Sequence, residues 1–229
     1  MTEQNRTQLT TSKDRQISTG NNAIEIRHEG KPVTGFSPRR DLSVPTSVMG
    51  RILLLIDCSA SMEGAKIAKA KNGALSFSSD ALQKGYLVGL VKFDSNAKMI
   101  VSPSGDLAAL EIGLATLKAN PNGSTNMQEA IILSARCMVG LPGQNIIVLV
   151  TDGVPTNRGD PKVTLKAGEL AKSRNIDIMA IGTDDADLVF LGQLASRSEL
   201  GMKVDSENFE ETIASSFKRL QSGSNIVKY

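Results

Sequence analysis

From Arg51 onward, short apolar runs alternate with segments in which apolar residues recur every three or four positions. The runs predict buried strands, and the segments between them predict helices that each lay one apolar stripe on a sheet. Strands and helices that alternate in this way are typical of a parallel sheet covered on both faces. The predicted strands are residues 52–56, 86–93, 146–150 and 176–181, with an antiparallel hairpin partner for the second at 97–101.

The same spacing predicts the helices. Apolar side chains repeat at three- and four-residue steps between residues 67 and 81 and between residues 127 and 138. The most C-terminal helix should pack on the core, because Phe209, Ile213 and Phe217 share one of its faces. The further predicted helices are residues 107–119, 161–174, 187–197 and 207–221.

The first 48 residues differ in composition from the rest. Residues 1–22 are rich in Thr, Gln, Asn and Ser, which bury too little apolar surface to offset the entropy of ordering the backbone, so a disordered tail is expected. Residues 23–48 alternate briefly and then turn near Gly30, which predicts an edge hairpin or strap on the core. The core domain is predicted at residues 49–222, followed by a C-terminal tail at 223–229.

Composition narrows the classes of function. Apolar residues make up 40% and charged residues 22% of the 229 positions, which fits one globular domain with an appendage. Residues 49–229 carry 19 Lys+Arg and 19 Asp+Glu, so the predicted core is neutral and nucleic acid is not an expected partner. With six Phe, two Tyr and no Trp, the chain also offers few rings on which bases could stack.

Location and redox chemistry are read from the same sequence. The longest aliphatic stretches are far shorter than the ~20 residues of a membrane helix, and the first 25 residues lack an export signal. Cys58 and Cys137 lie far apart, without a CxxC spacing or a nearby His, which argues against zinc and against a redox dithiol. We expect a cytoplasmic protein that does not insert into a membrane.

Oxygen-bearing side chains follow two of the predicted strands. The first strand runs into a D-x-S-x-S motif, in which alternate side chains of an extended turn point to one side, so that Asp57, Ser59 and Ser61 converge. The third predicted parallel strand runs into Asp152, and a loop between the two places the hydroxyl of Thr125 at the start of a helix. In open parallel sheets, ligands collect at this carboxyl edge.

Two carboxylates, three hydroxyls and one free position suit a small divalent cation with near-octahedral oxygen ligation at about 2.1 Å. Mg²⁺ is the expected ion, with Mn²⁺ or Ca²⁺ as substitutes. Because the two carboxylates only just neutralise it, the ion should stay electrophilic toward an outside carboxylate. Since hydroxyls are weak ligands, the expected affinity is micromolar to millimolar.

Each candidate also has a simpler interpretation. Asp and Ser favour hydrogen-bonded turns and helix caps without any metal, and Thr125 is itself a good N-cap. Cys58 should point away from the carboxylates as a small buried residue, because no base lies nearby to activate it. In the acidic stretch before Asp187, helix capping is favoured over a calcium loop, which would need a Gly and a bidentate Glu. His28, the single histidine, is expected to be exposed and without a functional role.

Taken together, Asp57, Ser59, Ser61, Thr125 and Asp152 resemble the complete metal-ion-dependent adhesion site of a von Willebrand factor A domain. The surrounding phrases S-M-x-G, G-S-T-N and T-D-G-x-P-T agree, and the likeness covers about residues 50–222. It implies an α/β fold with a Rossmann-like, doubly wound, mostly parallel six-stranded sheet of order 3-2-1-4-5-6 and one antiparallel edge strand. It also implies that the three hydroxyls contact the ion directly or nearly so, and that the carboxylates often act through water.

The function implied by the resemblance is Mg²⁺-dependent protein binding, in which an Asp or Glu of the partner completes the metal coordination. The chain resembles stand-alone bacterial intracellular members of the family. This likeness implies a partner in a stress-response, defence or signalling system, or an AAA+ ATPase of the MoxR type. No catalytic residue and no organic cofactor are assigned.

The alternative is a metal-dependent hydrolase or phosphotransferase on a similar doubly wound sheet, because haloacid-dehalogenase-type phosphatases keep their nucleophile after the first strand. Those enzymes need a second carboxylate two residues later, where this chain has Ser59, and the chain has no G-x-x-x-x-G-K-[ST] loop for a nucleotide. A single histidine outside the core provides no Ser-His dyad. The binding module is therefore favoured, and a structural domain with a vestigial site is the third interpretation.

Overall fold

The structure, a computed structural model, describes residues 15–20, 23–28, 31–32, 49–156 and 160–222. It divides the chain into two compact units, Met1–Thr46 and Ser47–Tyr229. The sequence places the start of the core domain near the same point, at residue 49.

The first unit holds a small antiparallel sheet in the order β1-β2-β3, formed by β1 (Arg15–Gly20), β2 (Ala23–His28) and β3 (Lys31–Pro32). Strands β2 and β3 lie where the sequence predicts a hairpin. Strand β1 lies where the sequence predicts a tail, since the composition does not reveal its backbone pairing with β2, in which Ile17 faces Ile26. The rest of the predicted N-terminal tail, the strap residues 33–48 and the C-terminal tail 223–229 lie outside the described residues.

The second unit is built on a six-stranded sheet. Its strands are β4 (Gly50–Asp57), β5 (Tyr86–Phe93), β6 (Ala97–Ser104), β7 (Gln144–Thr151), β8 (Ile176–Thr183) and β9 (Gly201–Val204). They lie in the order β6-β5-β4-β7-β8-β9, and every neighbouring pair is parallel except β5 with β6. Numbered within this sheet, the order is 3-2-1-4-5-6 with one antiparallel edge strand, so the predicted fold class is confirmed.

Six α-helices accompany this sheet in the described part of the chain: α1 (Ala65–Gln83), α2 (Leu107–Thr116), α3 (Met127–Met138), α4 (Pro161–Lys172), α5 (Leu188–Leu194) and α6 (Phe209–Ser222). The prediction that the C-terminal helix packs on the core is confirmed, because Phe209, Ile213 and Phe217 are buried. No described helix combines the length and the apolar character needed to cross a membrane.

The sheet carries one apolar layer on each face. Successive residues of a strand point to opposite faces, so Ile52 and Leu54 of β4 belong to the layer with α1, α2 and α6, whereas Leu53 and Leu55 belong to the layer with α3, α4 and α5. Because strand β4 is covered on both faces, its apolar run is continuous. This central strand ends at Asp57, which places a carboxylate at the middle of the carboxyl edge.

Helix ends and the last strand differ from the predictions. Helix α2 stops at Thr116, three residues early, because Leu117 is extended and the Lys71 ammonium donates to the carbonyl oxygens of Ala115 and Leu117 at 3.3 Å. Strand β9 has only four residues, too few for an alternating pattern to reveal, and it is held by parallel pairing with β8.

Helix α1 packs closely against α6 at Gly73, where the absence of a side chain makes the approach feasible. A Cβ atom at Gly73 would lie 2.7 Å from the carbonyl oxygen of Glu210 and 2.8 Å from Cβ of Ile213. Since the nearest of these atoms belongs to the backbone, it cannot rotate away. The packing of α6 therefore holds α1 in place, and α1 begins beside the D-x-S-x-S turn.

We expect Gly73→Ala to lower the free energy of unfolding by about 1–2 kcal/mol, because the clash with α6 outweighs the gain in helix propensity. Gly192→Ala in α5 is the matched control, since nothing lies within 4 Å of the added Cβ, and it should leave stability unchanged or raise it by up to about 1 kcal/mol. Urea unfolding measures both. Equal stabilities of the two variants would contradict the close packing of α1 on α6.

Candidate metal site at the carboxyl edge of the sheet

Asp57 lies at the end of β4, next to the end of β7. The two strands are parallel neighbours, with Ile56 opposite Val150, so the next residues, Asp57 and Thr151, come together. The hydroxyl of Thr151 donates to Oδ2 of Asp57 at 2.6 Å, and the backbone N–H of Ser59 donates to Oδ1 at 2.8 Å. Both carboxylate oxygens of Asp57 are thus held by neutral donors.

Asp152 follows β7 and is reached by the D-x-S-x-S turn. The Ser61 hydroxyl donates to Oδ1 of Asp152 at 2.8 Å, and the hydroxyl oxygens of Ser59 and Ser61 lie 3.3 Å apart. With the bond from the Ser59 N–H to Asp57, these contacts link one carboxylate to the other through Ser59 and Ser61. The structure therefore brings together four of the five predicted site residues.

Thr125, the fifth predicted residue, lies in a loop that is tied to both sides of the site. Its backbone N–H donates to the Thr156 hydroxyl, and its carbonyl accepts from the Thr156 N–H, both at 3.2 Å. On the other side, the Ala60 N–H donates to the carbonyl of Gly123 at 3.3 Å. The loop is fixed beside the site through its backbone. In the described hydrogen bonds of Thr125, the backbone N–H and carbonyl of Thr125 take part.

Helix α3 is not capped by Thr125, which was the simpler interpretation of this residue. The cap is Asn126, whose side-chain oxygen accepts from the Glu129 N–H at 3.3 Å while its amide donates to the Glu129 carboxylate at 3.2 Å. This reciprocal pair satisfies the first turn of α3. The Thr125 hydroxyl is therefore not used for capping. Thr125 is buried, with 5% of the residue exposed.

Burial dominates the electrostatics of Asp57. Removal from water raises the pKa of its carboxyl to about 6, although the hydrogen bonds from Thr151 and Ser59 lower it, and the nearby charge of Asp152 adds a small further rise. A carboxyl with a pKa near 6 in an apolar sheet is one that a cation would stabilise in its ionised form. Positive charge placed at this edge would therefore lower the pKa of Asp57.

A cationic side chain meets this edge from α1. The Lys66 ammonium lies 2.5 Å from Oδ2 of Asp152 and 3.0 Å from Oδ2 of Asp184, which follows β8. Burial lowers the pKa of Lys66, but the hydrogen bonds to the two carboxylates and their negative charges together outweigh burial, so the net shift is upward. The same hydrogen bond from Lys66 lowers the pKa of Asp184.

Lys66, Asp184 and Thr151 are the site residues that reasoning from the sequence missed. One signal was present: Lys66 lies in the first turn of α1, where the helix dipole disfavours a cation, so an anionic partner is needed there. Asp184 gave no comparable signal, because helix capping by Asp187 already accounted for the acidic stretch in which it lies. That part of the prediction is confirmed, since Asp187 accepts from the N–H groups of Val189 and Phe190 at the start of α5.

The remaining candidates behave as packing residues or lie outside the description. Cys58 is fully buried, as expected, and burial raises the pKa of its thiol to about 12, which keeps it unreactive. The side chain of His28 is outside the described residues. Within the described ranges, no three His, Cys, Asp or Glu side chains are grouped as a metal site, so a cation here would depend on the hydroxyls for much of its ligation.

Comparison with known proteins places this geometry in a family. The family model for the von Willebrand factor type A domain matches residues 52–221. A protein of Mycolicibacterium paratuberculosis named UPF0353 protein is 30% identical over 159 residues, which is 63% of this chain and 47% of that protein. The chain thus spans about half the length of this curated relative.

Solved structures are similar in fold. The von Willebrand factor domain of the type V pili tip protein Mfa5 from Porphyromonas gingivalis has a TM-score of 0.69 at 15% identity, covering 80% of this chain and 98% of that one. Proximal thread matrix protein 1 from the mussel byssus, described with a zinc-occupied MIDAS motif, has a TM-score of 0.60 at 18% identity over 72% and 46% of the two chains. At these identities the likeness shows the fold alone.

We expect the stability of the EDTA-treated protein to fall by about 2 kcal/mol between pH 4 and pH 7 on account of Asp57. Its pKa is about 6 in the folded chain against 3.8 in the unfolded chain, so between these values the folded state binds the extra proton and stability decreases as pH rises. In Asp57→Asn this contribution should be absent, while the exposed-residue control Asp185→Asn should follow the wild type. Urea unfolding across this pH range measures it, and a wild-type profile in Asp57→Asn would contradict the raised pKa.

Proposed function

This chain belongs to the von Willebrand factor type A domain family, a family of protein-interaction modules, and on that basis we propose that it captures a partner protein through a bound Mg²⁺. The proposed metal-binding residues are Asp57, Ser59, Ser61, Thr125 and Asp152. The partner presents an Asp or Glu, whose carboxylate completes the coordination of the ion.

One observation carries this proposal: two buried carboxylates from neighbouring strands are linked through Ser59 and Ser61, and a cationic side chain lies against one of them. The ammonium of Lys66, 2.5 Å from Oδ2 of Asp152, shows that this edge accepts a positive charge. Oxygen donors of this kind are the ones that Mg²⁺ prefers, with Mn²⁺ or Ca²⁺ as substitutes. The donor set therefore fits the ion.

A bound Mg²⁺ would supply an electrophilic position for an outside carboxylate oxygen. The residues of the chain orient the site for it. The backbone N–H of Ser59 and the hydroxyl of Thr151 hold Asp57, and the Ser59 and Ser61 hydroxyls can turn their lone pairs toward a cation. The byssus protein, described with zinc in its MIDAS motif, supports the proposal that this fold accommodates a divalent cation at such a place.

A binding role is favoured over hydrolysis because, in the described part of the chain, the position two residues after Asp57 holds no carboxylate that could act as an acid–base catalyst. Two residues after this carboxylate stands Ser59, whose hydroxyl lies 3.3 Å from that of Ser61. The fully buried thiol of Cys58 is held in its neutral form. The cytoplasmic location and a partner from a stress, defence or AAA+ ATPase system, both expected from the sequence, stay predictions.

We expect the purified chain to bind Mn²⁺ with a micromolar to millimolar dissociation constant, and Asp152→Ala to weaken binding at least tenfold because it removes one of two carboxylates. Ser61→Ala should weaken binding less, since a hydroxyl contributes no charge. Titration followed by Mn²⁺ electron paramagnetic resonance measures the affinity. Asp185→Asn, which removes an exposed carboxylate, is the control, and an unchanged affinity in Asp152→Ala would contradict the proposed ligand set.

Partner capture tests the bridging role. Immobilised chain in Mg²⁺ should retain a protein that EDTA releases, and Asp57→Ala or Asp152→Ala should retain none, with circular dichroism confirming that each variant is folded. Mass spectrometry identifies the partner, in which replacement of the bridging Asp or Glu by its amide should abolish binding. Binding that persists in EDTA, or phosphatase activity lost in Asp57→Ala, would favour the other interpretations.

A further inference from the structure

Lys66 makes two ion pairs at the proposed metal site, and the two carboxylates differ in their environment. Its ammonium lies 2.5 Å from Oδ2 of Asp152, whose side chain is 1% exposed, and 3.0 Å from Oδ2 of Asp184, whose side chain is 34% exposed. The Asp152 carboxylate is therefore shielded from water, whereas Asp184 is partly solvated and the Lys66 side chain is 24% exposed. One lysine thus bridges a buried and an accessible anion.

The ammonium contacts Oδ2 of Asp152, which among the described hydrogen bonds of the two carboxylates is the oxygen without a neutral donor. Both oxygens of Asp57 accept from the chain, one from the Ser59 N–H and the other from the Thr151 hydroxyl. Oδ1 of Asp152 accepts from the Ser61 hydroxyl, while its Oδ2 accepts from Lys66. A divalent cation bound at Asp152 would have to share this place with an ammonium, and like charges at such short distance repel strongly in a buried setting.

The local structure lets Lys66 leave Asp152 without losing every partner. Gly64, at φ 80, turns the chain from the D-x-S-x-S motif into α1 and places Lys66 in the first turn. The ammonium is already within hydrogen-bond distance of Asp184, which is itself held by the Ser206 hydroxyl at 2.9 Å. A small rotation of the flexible side chain would keep the Asp184 pair and free Asp152.

We infer that Lys66 is an internal competitor of the divalent cation for Asp152, and that Asp184 is the partner that receives it when the cation binds. This inference rests on the proposed function, because it concerns the same metal site. Lys66 and Asp184, which are not metal ligands, would then control how tightly the chain binds its ion. Metal binding is then an exchange in which one ammonium moves away as one divalent cation is bound.

The first test compares the Mn²⁺ affinity of four purified variants with that of the wild type by electron paramagnetic resonance titration. Lys66→Gln removes the competing charge and should bind Mn²⁺ about tenfold more tightly than the wild type, a change typical of losing one charged hydrogen bond. Lys66→Arg keeps the charge and should stay close to the wild type. Asp184→Asn removes the receiving partner and should bind Mn²⁺ more weakly, whereas Asp185→Asn removes an equal charge nearby and should change little.

A double variant separates the exchange from simple electrostatics. If Asp184 acts by receiving Lys66, Asp184→Asn should weaken Mn²⁺ binding in the wild-type background and have little effect in the Lys66→Gln background. Equal effects in both backgrounds would overturn the role of Asp184. An affinity of Lys66→Gln that equals the wild-type affinity, or falls below it, would overturn the role of Lys66.

Unfolding in EDTA provides a readout that does not depend on metal affinity. Lys66→Gln leaves Asp152 buried without its cation, so its unfolding midpoint in urea should fall below that of the wild type, and saturating Mn²⁺ should raise this midpoint more in the variant. An unchanged midpoint in EDTA would overturn the inference. If Mn²⁺ binds neither the wild type nor Lys66→Gln, the proposed function and the inference both fail, whereas equal binding by the two proteins overturns the inference alone.

Discussion

The constraint on which this structure depends is the burial of two carboxylates at the ends of neighbouring strands. Asp57 is 0% and Asp152 2% exposed. Asp57 ends one central strand and Asp152 follows the next, in a sheet that apolar layers cover on both faces. A buried anion is costly unless hydrogen bonds or an opposite charge compensate it. The loops at this edge are arranged around that requirement.

The two carboxylates are compensated in different ways. Asp57 is held by donors from its own turn and from the adjacent strand, and its pKa near 6 indicates that neutral donors do not offset its burial completely. Asp152 is held by Ser61 and Lys66, which arrive from another part of the chain. The charge balance of the site therefore depends on where α1 begins, and the close packing of α1 on α6 at Gly73 fixes that position.

This arrangement connects the proposed binding chemistry with the fold. In the proposed exchange, either a metal ion or the Lys66 ammonium supplies the positive charge that compensates Asp152. Asp184 lies close enough to pair with Lys66 when the metal ion is bound. In the proposed exchange, Asp152 has a counter-charge before and after the cation binds, whereas Asp57 is held by neutral donors until it does.

Much of this was determined by the sequence alone. Apolar periodicity sets the strands and helices because burial acts on every residue of an element, and the D-x-S-x-S turn and Asp152 are placed at one edge because parallel strands end on the same side. Only the tertiary structure decided which charges meet there. Lys66 reaches Asp152 across 86 positions of sequence and Asp184 across a third strand, and the cap of α3 went to Asn126 instead of Thr125. Such contacts depend on the distance between side chains in space, for which a pattern along the chain carries no information.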